Sequence, residues 1–329
     1  MRKYIVLLFL TSFFIEVNAQ DVISKIGFTQ GTTYSIRYID LQQRDFSNQI
    51  DSILIHFSKI FSTYDSTSTV SMVNANRSVK LDSMFIACFN ASMKISKETD
   101  GAFDITVSPL VNTWGFGQNV KRNLTQKQID SLLQIVGYKK VSIINNSVVK
   151  KDSRTTLNFN AIAQGYSVDI ISEFLMRQNI QNFVVEIGGE VYARGKKPNG
   201  ENWFVGIEKP TDNRTDAMNE LQYVIKVQNK AVSTSGSYRK FYVENGVKYS
   251  HTINPQTGYP SKNNVVSVTI ISNDCATADG YATACMVMGL AKSRKFLQSH
   301  SELDACIMYY DESGKLQIFS TKGFDEFVK

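Results

Sequence analysis

The sequence predicts an α+β fold, one compact mixed sheet-and-helix unit, and three observations carry that expectation. Strand-like and helix-like stretches follow one another without a regular strand–helix–strand repeat. No internal repeat or low-complexity linker divides the chain. Its 329 residues, 43% hydrophobic and 20% charged, have the composition of a globular chain and suffice for a sizeable core.

The first element is one to set aside. Residues 1–19 carry Arg2 and Lys3, an apolar run over 4–15, and Val17-Asn18-Ala19. That is the layout of a secretory signal peptide cut after Ala19, which leaves 20–329 as a single exported domain. The run is short for a membrane span and stops at Glu16. The stretch "GTTYSIRYI" then alternates as a strand. Residues 46–61 place Phe46, Ile50, Ile53, Leu54, Phe57, Ile60 and Phe61 on one helical face, and 82–98 repeats the pattern. "TQKQIDSLLQIVG" opens with a capping box, Thr125 and Gln128, and closes at Gly137. A helix is expected from Ala161 to about Gln178. "NFVVEI", "WFVGIEK", "LQYVIKVQ" and "VVSVTIIS" read as strands. Two short helices around 276–299 and the strands "LDACIMYY" and "KLQIFS" complete the chain, with 209–220 as its most loop-like insertion.

Composition excludes several functions. The net charge of +6 is mild and scattered, so nothing favours nucleic acid. No phosphate-binding loop, dinucleotide fingerprint, nucleophile elbow or HExxH is present. Three histidines cannot build a histidine-rich metal centre. Cys88, Cys275, Cys285 and Cys306 have no metal-like spacing, and Cys88 and Cys285 lie in apolar helical patterns that suit buried thiols.

Six clusters interrupt apolar or glycine-rich surroundings. "TDGAFDITVSPLVNTWGFG" (99–117) holds Asp104, and its pattern alone reads as a turn and a buried strand. "NFNAIAQGYSVD" (158–169) sets small residues where a helix begins, suited either to phosphate or to close packing. Gly188-Gly189 follows a strand, as a tight turn or a close backbone approach. "STSGSYRKFY" gathers hydroxyls around a glycine, and "YSHTINPQTGYP" sets His251 among turn residues, where it is a candidate general base. Asp279 and Thr283 lie four apart in "ATADGYATACMVMGL" and share a helical face. An acid favours a helix start in any case. A carboxylate beside a hydroxyl also makes a hard oxygen pair suited to Mg²⁺, which takes few protein ligands.

Taken in order, "FSTYDSTSTVSMVN", "TDGAFDITVSPLVNTWGFG", "NAIAQGYSVD", "VEIGGEVYARG", "STSGSYRKFY", "SHTINPQTGYP" and "ADGYATACMVMG" resemble the motifs of the ApbE family, the FAD:protein FMN transferases. The resemblance runs from about Gly31 to the C-terminus. It implies Mg²⁺ at Asp279 and Thr283, with main-chain oxygen at Ala161 and backbone near Ala282. It implies FAD contacts at Tyr64, at Ala102, Phe103 and Asp104, and at Ile253, with His251 as general base. Gln30, Asn158 and Gln164 fall at FAD-contact positions but depart from the family's usual residues, as does Asn254 before Pro255; these leave open the balance between transfer and hydrolysis. The implied reaction passes FMN from FAD to a Ser or Thr hydroxyl of an exported FMN-binding protein or redox-complex subunit, releasing AMP. The implied location is the periplasm or the outer face of the cytoplasmic membrane, with peripheral membrane association as a further expectation. An FAD pyrophosphatase, or an exported flavin-binding protein without catalysis, are the competing readings.

Overall fold

The computed structural model describes residues 21–117, 124–210, 220–237, 241–244 and 247–329. The signal segment 1–19 and most of the 209–220 insertion therefore lie outside the described residues.

The hairpin β1 (Val22–Thr29) and β2 (Thr32–Ile39) opens the chain. Four helices follow, α1 (Ser47–Phe61), α2 (Thr69–Asn74), α3 (Ser83–Glu98) and α4 (Ser108–Thr113), then α5 (Gln126–Leu133). The small hairpin β3 (Val141–Ile144) and β4 (Ser147–Lys150) leads to α6 (Ala163–Arg177). Next come β5 (Asn182–Ile187), β6 (Glu190–Arg194), β7 (Trp203–Glu208), β8 (Leu221–Val227) and β9 (Lys230–Gly236). The chain finishes with β10 (Phe241–Glu244), β11 (Val247–Ser250), β12 (Val265–Ser272), α7 (Cys275–Gln298), β13 (Asp304–Tyr310) and β14 (Leu316–Ser320).

Eight of these strands form one sheet in the order β1-β2-β5-β6-β9-β12-β13-β14, with every neighbouring pair antiparallel. Its centre is covered on both sides, so β12 is buried throughout, its small hydroxyl residues Ser267, Thr269 and Ser272 included. Val268 and Ile270 join the core beneath α3 and α7, whereas Ile271 joins the layer made by the β7–β8 hairpin. Full burial of each such side chain contributes roughly 1.5–3 kcal/mol. A second cluster, with Leu54 of α1, Val168 of α6 and Val185 of β5, fills the space under the first strands.

The expected helices at 46–61 and 82–98 form as Ser47–Phe61 and Ser83–Glu98, the second capped by Asp82 on the amide of Met84. The capping box of Thr125 and Gln128 is present, but α5 ends at Leu133 rather than running to Gly137. Ile135 and Val136 are buried, which draws the chain out of the helix before the glycine. The helix pair expected around 276–299 is α7, broken at Gly289, whose φ of 73° and ψ of 172° no helix accommodates. The buried strand expected within 99–117 is absent. That stretch is a series of turns followed by α4, because Asp104 takes the amide and hydroxyl of Thr106 at 2.7 and 2.6 Å and closes a turn. All four cysteines are free and buried. No helix among the described residues is long and apolar enough to cross a membrane.

Candidate functional site

A cleft of about 470 Å³ opens at one end of the sheet. Two tight turns form part of its rim. The β1–β2 turn has Gln30 at φ 52° and Gly31 at φ 77°, and the β5–β6 turn has Gly188 at φ 69° and Gly189 at φ 106°. Two-residue hairpins with positive φ at both positions match the twist of the strands they join. At Gly188 the close approach is also real, since a Cβ there would lie 2.7 Å from Gln164 Nε2.

The starts of α6 and α7 meet on the opposite wall. Gly165 permits this, because a Cβ at that position would come within 2.4 Å of the Cys275 carbonyl oxygen and 2.8 Å of Asp279 Cβ. Asp279 Oδ2 accepts the Gly165 amide at 3.1 Å, and Thr283, one turn on, shares a 3.2 Å hydroxyl pair with Ser235 of β9. Asp279 is only 6% exposed, and burial raises its carboxyl to about 7 against the pull of the Gly165 N–H. Among the described residues no lysine or arginine lines the cleft, while Asp104, Glu190 and Asp279 all do. The wall is thus acidic and rich in oxygen donors.

His251 stands on the third side, half-buried, its ring edge-on to Phe116 with centroids 6.4 Å apart. The loop behind it is held by several bonds. Asn254 Oδ1 accepts the amides of Gln256 and Thr257, Ile253 bridges to Pro260, and Trp114 Nε1 donates to the Gly258 carbonyl at 2.8 Å. The 99–117 stretch is therefore fastened to the histidine loop. Asp104 contributes to that scaffold: its second oxygen accepts the Tyr138 amide at 2.7 Å, and burial holds its carboxyl above the ordinary range despite these bonds.

The structure brings Gln30, Ala102, Phe103, Asp104, Asn158, Ala161, Gln164, His251, Ile253, Asp279 and Thr283 to this one cleft. Two expected site residues stand apart from it. Tyr64 is 80% exposed in the loop after α1, and Ala282 is fully buried in the helical core, inside an unbroken turn of α7 that engages its carbonyl. Gln30 Nε2 is buried and has no hydrogen-bond partner among the described residues, a donor left for a ligand. The sequence marks the hydroxyls around Gly236 as a cluster but does not assign Ser235 to a cleft wall, and it gives Glu190 no role. Nor does it single out Asp169, which accepts the amides of Cys275 and Ala276 at the start of α7 at 2.7 and 2.8 Å. No group of three or more His, Cys, Asp or Glu side chains is gathered for a metal among the described residues. A carboxylate, a hydroxyl and main-chain oxygen are instead the donor set of a hard cation that completes its shell from a ligand and water.

Comparison with known proteins agrees with the motif order. The model of the ApbE family matches residues 30–307. A FAD:protein FMN transferase of Vibrio cholerae is 36% identical over 273 residues, 80% of each chain, and one of Escherichia coli K12 is 33% identical, covering 86% of this chain and 83% of its own. Among solved structures, the flavin transferase ApbE of Vibrio cholerae superposes with a TM-score of 0.83 at 31% identity, over 94% of this chain and 99% of that one. The apo flavinyl transferase ApbE of Pseudomonas stutzeri gives 0.84 at 32% identity, over 94% and 97%.

Proposed function

The chain belongs to the ApbE family, and from that premise we propose that it is a Mg²⁺-dependent FAD:protein FMN transferase acting on an exported flavoprotein. The observation that carries the finer reading is the acidic, oxygen-lined wall at Asp279 and Thr283, where among the described residues no lysine or arginine is available to a diphosphate. A pyrophosphate entering such a cleft meets repulsion unless a cation comes with it. Asp279, Thr283 and the Ala161 carbonyl are the groups that would hold Mg²⁺. When bound, the ion supplies charge neutralisation to the diphosphate oxygens.

The chain's own residues account for the remaining roles. Gly165 holds one oxygen of Asp279 by its amide, which fixes the carboxylate and leaves the other oxygen for the ion. Gln30, Phe103, Asn158, Gln164 and Ile253 line the cleft where the flavin nucleotide is seated, and the Gln30 amide finds its missing partner there. A ring nitrogen of His251 takes the proton of an acceptor Ser or Thr hydroxyl. The hydroxyl oxygen then bonds to the FMN-side phosphorus as the bond to the AMP phosphate oxygen breaks, which gives an FMN phosphoester on the acceptor and free AMP. A signal-like segment at 1–19 supports an acceptor outside the cytoplasm, in the periplasm or on the outer face of the cytoplasmic membrane.

The test is incubation of the purified mature chain with FAD, Mg²⁺ and an exported FMN-binding domain. Flavin fluorescence that stays with the acceptor in a denaturing gel is the expected result. Free FMN with an unlabelled acceptor would mean hydrolysis instead.

A further inference from the structure

The starts of α6 and α7 hold one another by exchanging carboxylates. On α6, Gly165 offers its amide to Asp279 at 3.1 Å. One turn later, Asp169 returns the favour to α7, with Oδ1 on the Cys275 amide at 2.7 Å and Oδ2 on the Ala276 amide at 2.8 Å. The cap residue Asp274 takes the Thr277 amide at 2.8 Å. The first three amides of α7 are orphans by helix geometry, and each has a carboxylate. Only the third is supplied locally. The packing at Gly165 leaves no room for adjustment, because even one methyl group would strike the Cys275 backbone.

Asp169 does not line the cleft. It sits behind α7, and burial raises its carboxyl to about 8 against the two amide bonds that draw it down. Its oxygens fix the turn that begins at Cys275, and Asp279 and Thr283 project from the next two turns of the same helix. A displacement of that first turn therefore moves the oxygen pair relative to Ala161 and Gln164 at the head of α6. A small hard cation tolerates little error in its ligand positions.

We infer that Asp169 is a positioning residue for the cation site: by clamping the first turn of α7 to α6 it sets the place of Asp279 and Thr283, and it governs cation affinity without touching ion or substrate. This rests on the Mg²⁺ site proposed above. Replacing Asp169 by Ala leaves both amides without partners and by Asn leaves one, and groups that orient metal ligands from behind typically govern affinity by about 10–100-fold.

The experiment titrates Mn²⁺, a paramagnetic substitute for Mg²⁺, into wild-type protein, Asp169→Asn and Asp169→Ala, with and without FAD, and reads free ion by EPR. Val227→Ala in the distant β7–β8 layer serves as a control for destabilisation alone, and all measurements are made well below each variant's melting temperature. Asp169→Asn is expected to weaken Mn²⁺ binding about 10-fold or more and Asp169→Ala further, with Val227→Ala unchanged. KM for FAD should rise in parallel at saturating acceptor, and high Mg²⁺ should restore much of the lost rate. If Asp169→Ala folds too poorly to assay, Asp169→Asn, which keeps the size and one acceptor oxygen, decides the matter. Mn²⁺ affinity within about twofold of wild type in Asp169→Asn overturns this inference alone. A wild-type protein that binds no Mn²⁺ overturns the cation site as well.

Discussion

Helices α5 and α7 begin in opposite ways. The start of α5 is self-sufficient: Thr125 accepts the Gln128 amide, and the Gln128 side chain accepts the Thr125 amide at 2.9 Å. The start of α7 is not, since its first two amides are held by Asp169, 106 and 107 residues away in sequence. A helix that serves only its own stability can carry its instructions in four consecutive residues. A helix that builds a site is placed by groups elsewhere, so its sequence looks unbalanced, with an acid and a hydroxyl set into a run of small apolar residues.

Substitutions at the two helix starts should therefore differ in kind as well as in size. At α7, Asp279→Ala removes the carboxylate of the proposed cation site and should lower the rate of acceptor flavinylation by about 10³-fold or more, measured from initial rates of in-gel fluorescence. His251→Ala, across the cleft, should cost about 10²–10⁴-fold in rate while leaving Mn²⁺ binding intact, which separates proton transfer from metal holding. Gly165→Ala forces a methyl into the contact between α6 and α7, and urea unfolding should show a loss of about 1–3 kcal/mol together with weakened activity. Thr125→Ala at α5 should cost about 1 kcal/mol of stability and nothing in flavinylation rate. An activity loss from Thr125→Ala that exceeds its stability loss would break the contrast.

A pH comparison sharpens it further. Burial raises the Asp279 carboxyl from its ordinary 3.8 to about 7, so in metal-free protein the folded state keeps a proton that the unfolded chain has released. That contribution is complete below about pH 4 and fades as the pH climbs through about 7. Asp279→Asn is neutral throughout. Without metal, thermal unfolding should show Asp279→Asn gaining stability relative to wild type between pH 4 and 7, and the gain should disappear when Mg²⁺ and FAD are added to the wild type.

Much of the fold was legible because local rules decide it. The spacing of Ile50, Leu54, Phe57 and Phe61 marked α1, Thr125 and Gln128 marked α5, and the β-branched run "VVSVTIIS" marked β12 as a strand. The turns at 99–107 were misread because Ile105 and Val107 mimic a strand, whereas Asp104 and its bonds to Thr106 and Tyr138 decide the conformation. Edge strand β1 went unremarked: Ile26 and Phe28 are 68% and 72% exposed, so its alternation does not separate core from solvent in the usual way. Strand β9 was hidden by its hydroxyls, since Ser233 is buried near Glu190 and Ser235 faces the cleft. In the site, the family resemblance carried by the motifs named most of the residues that line the cleft, but it also named Tyr64 and Ala282, which stand apart from it. It could not reveal Asp169, whose role exists only where α6 crosses α7.

The central claim is that Asp279 and Thr283 grip a divalent cation beside the flavin nucleotide. Crystals of the protein grown with FAD and Mn²⁺, measured at the manganese absorption edge, test it most directly. One anomalous peak within about 2.0–2.4 Å of an Asp279 carboxylate oxygen and the Thr283 hydroxyl is the expected result. FAD seated in the cleft with no such peak, or with the metal held elsewhere, would contradict it.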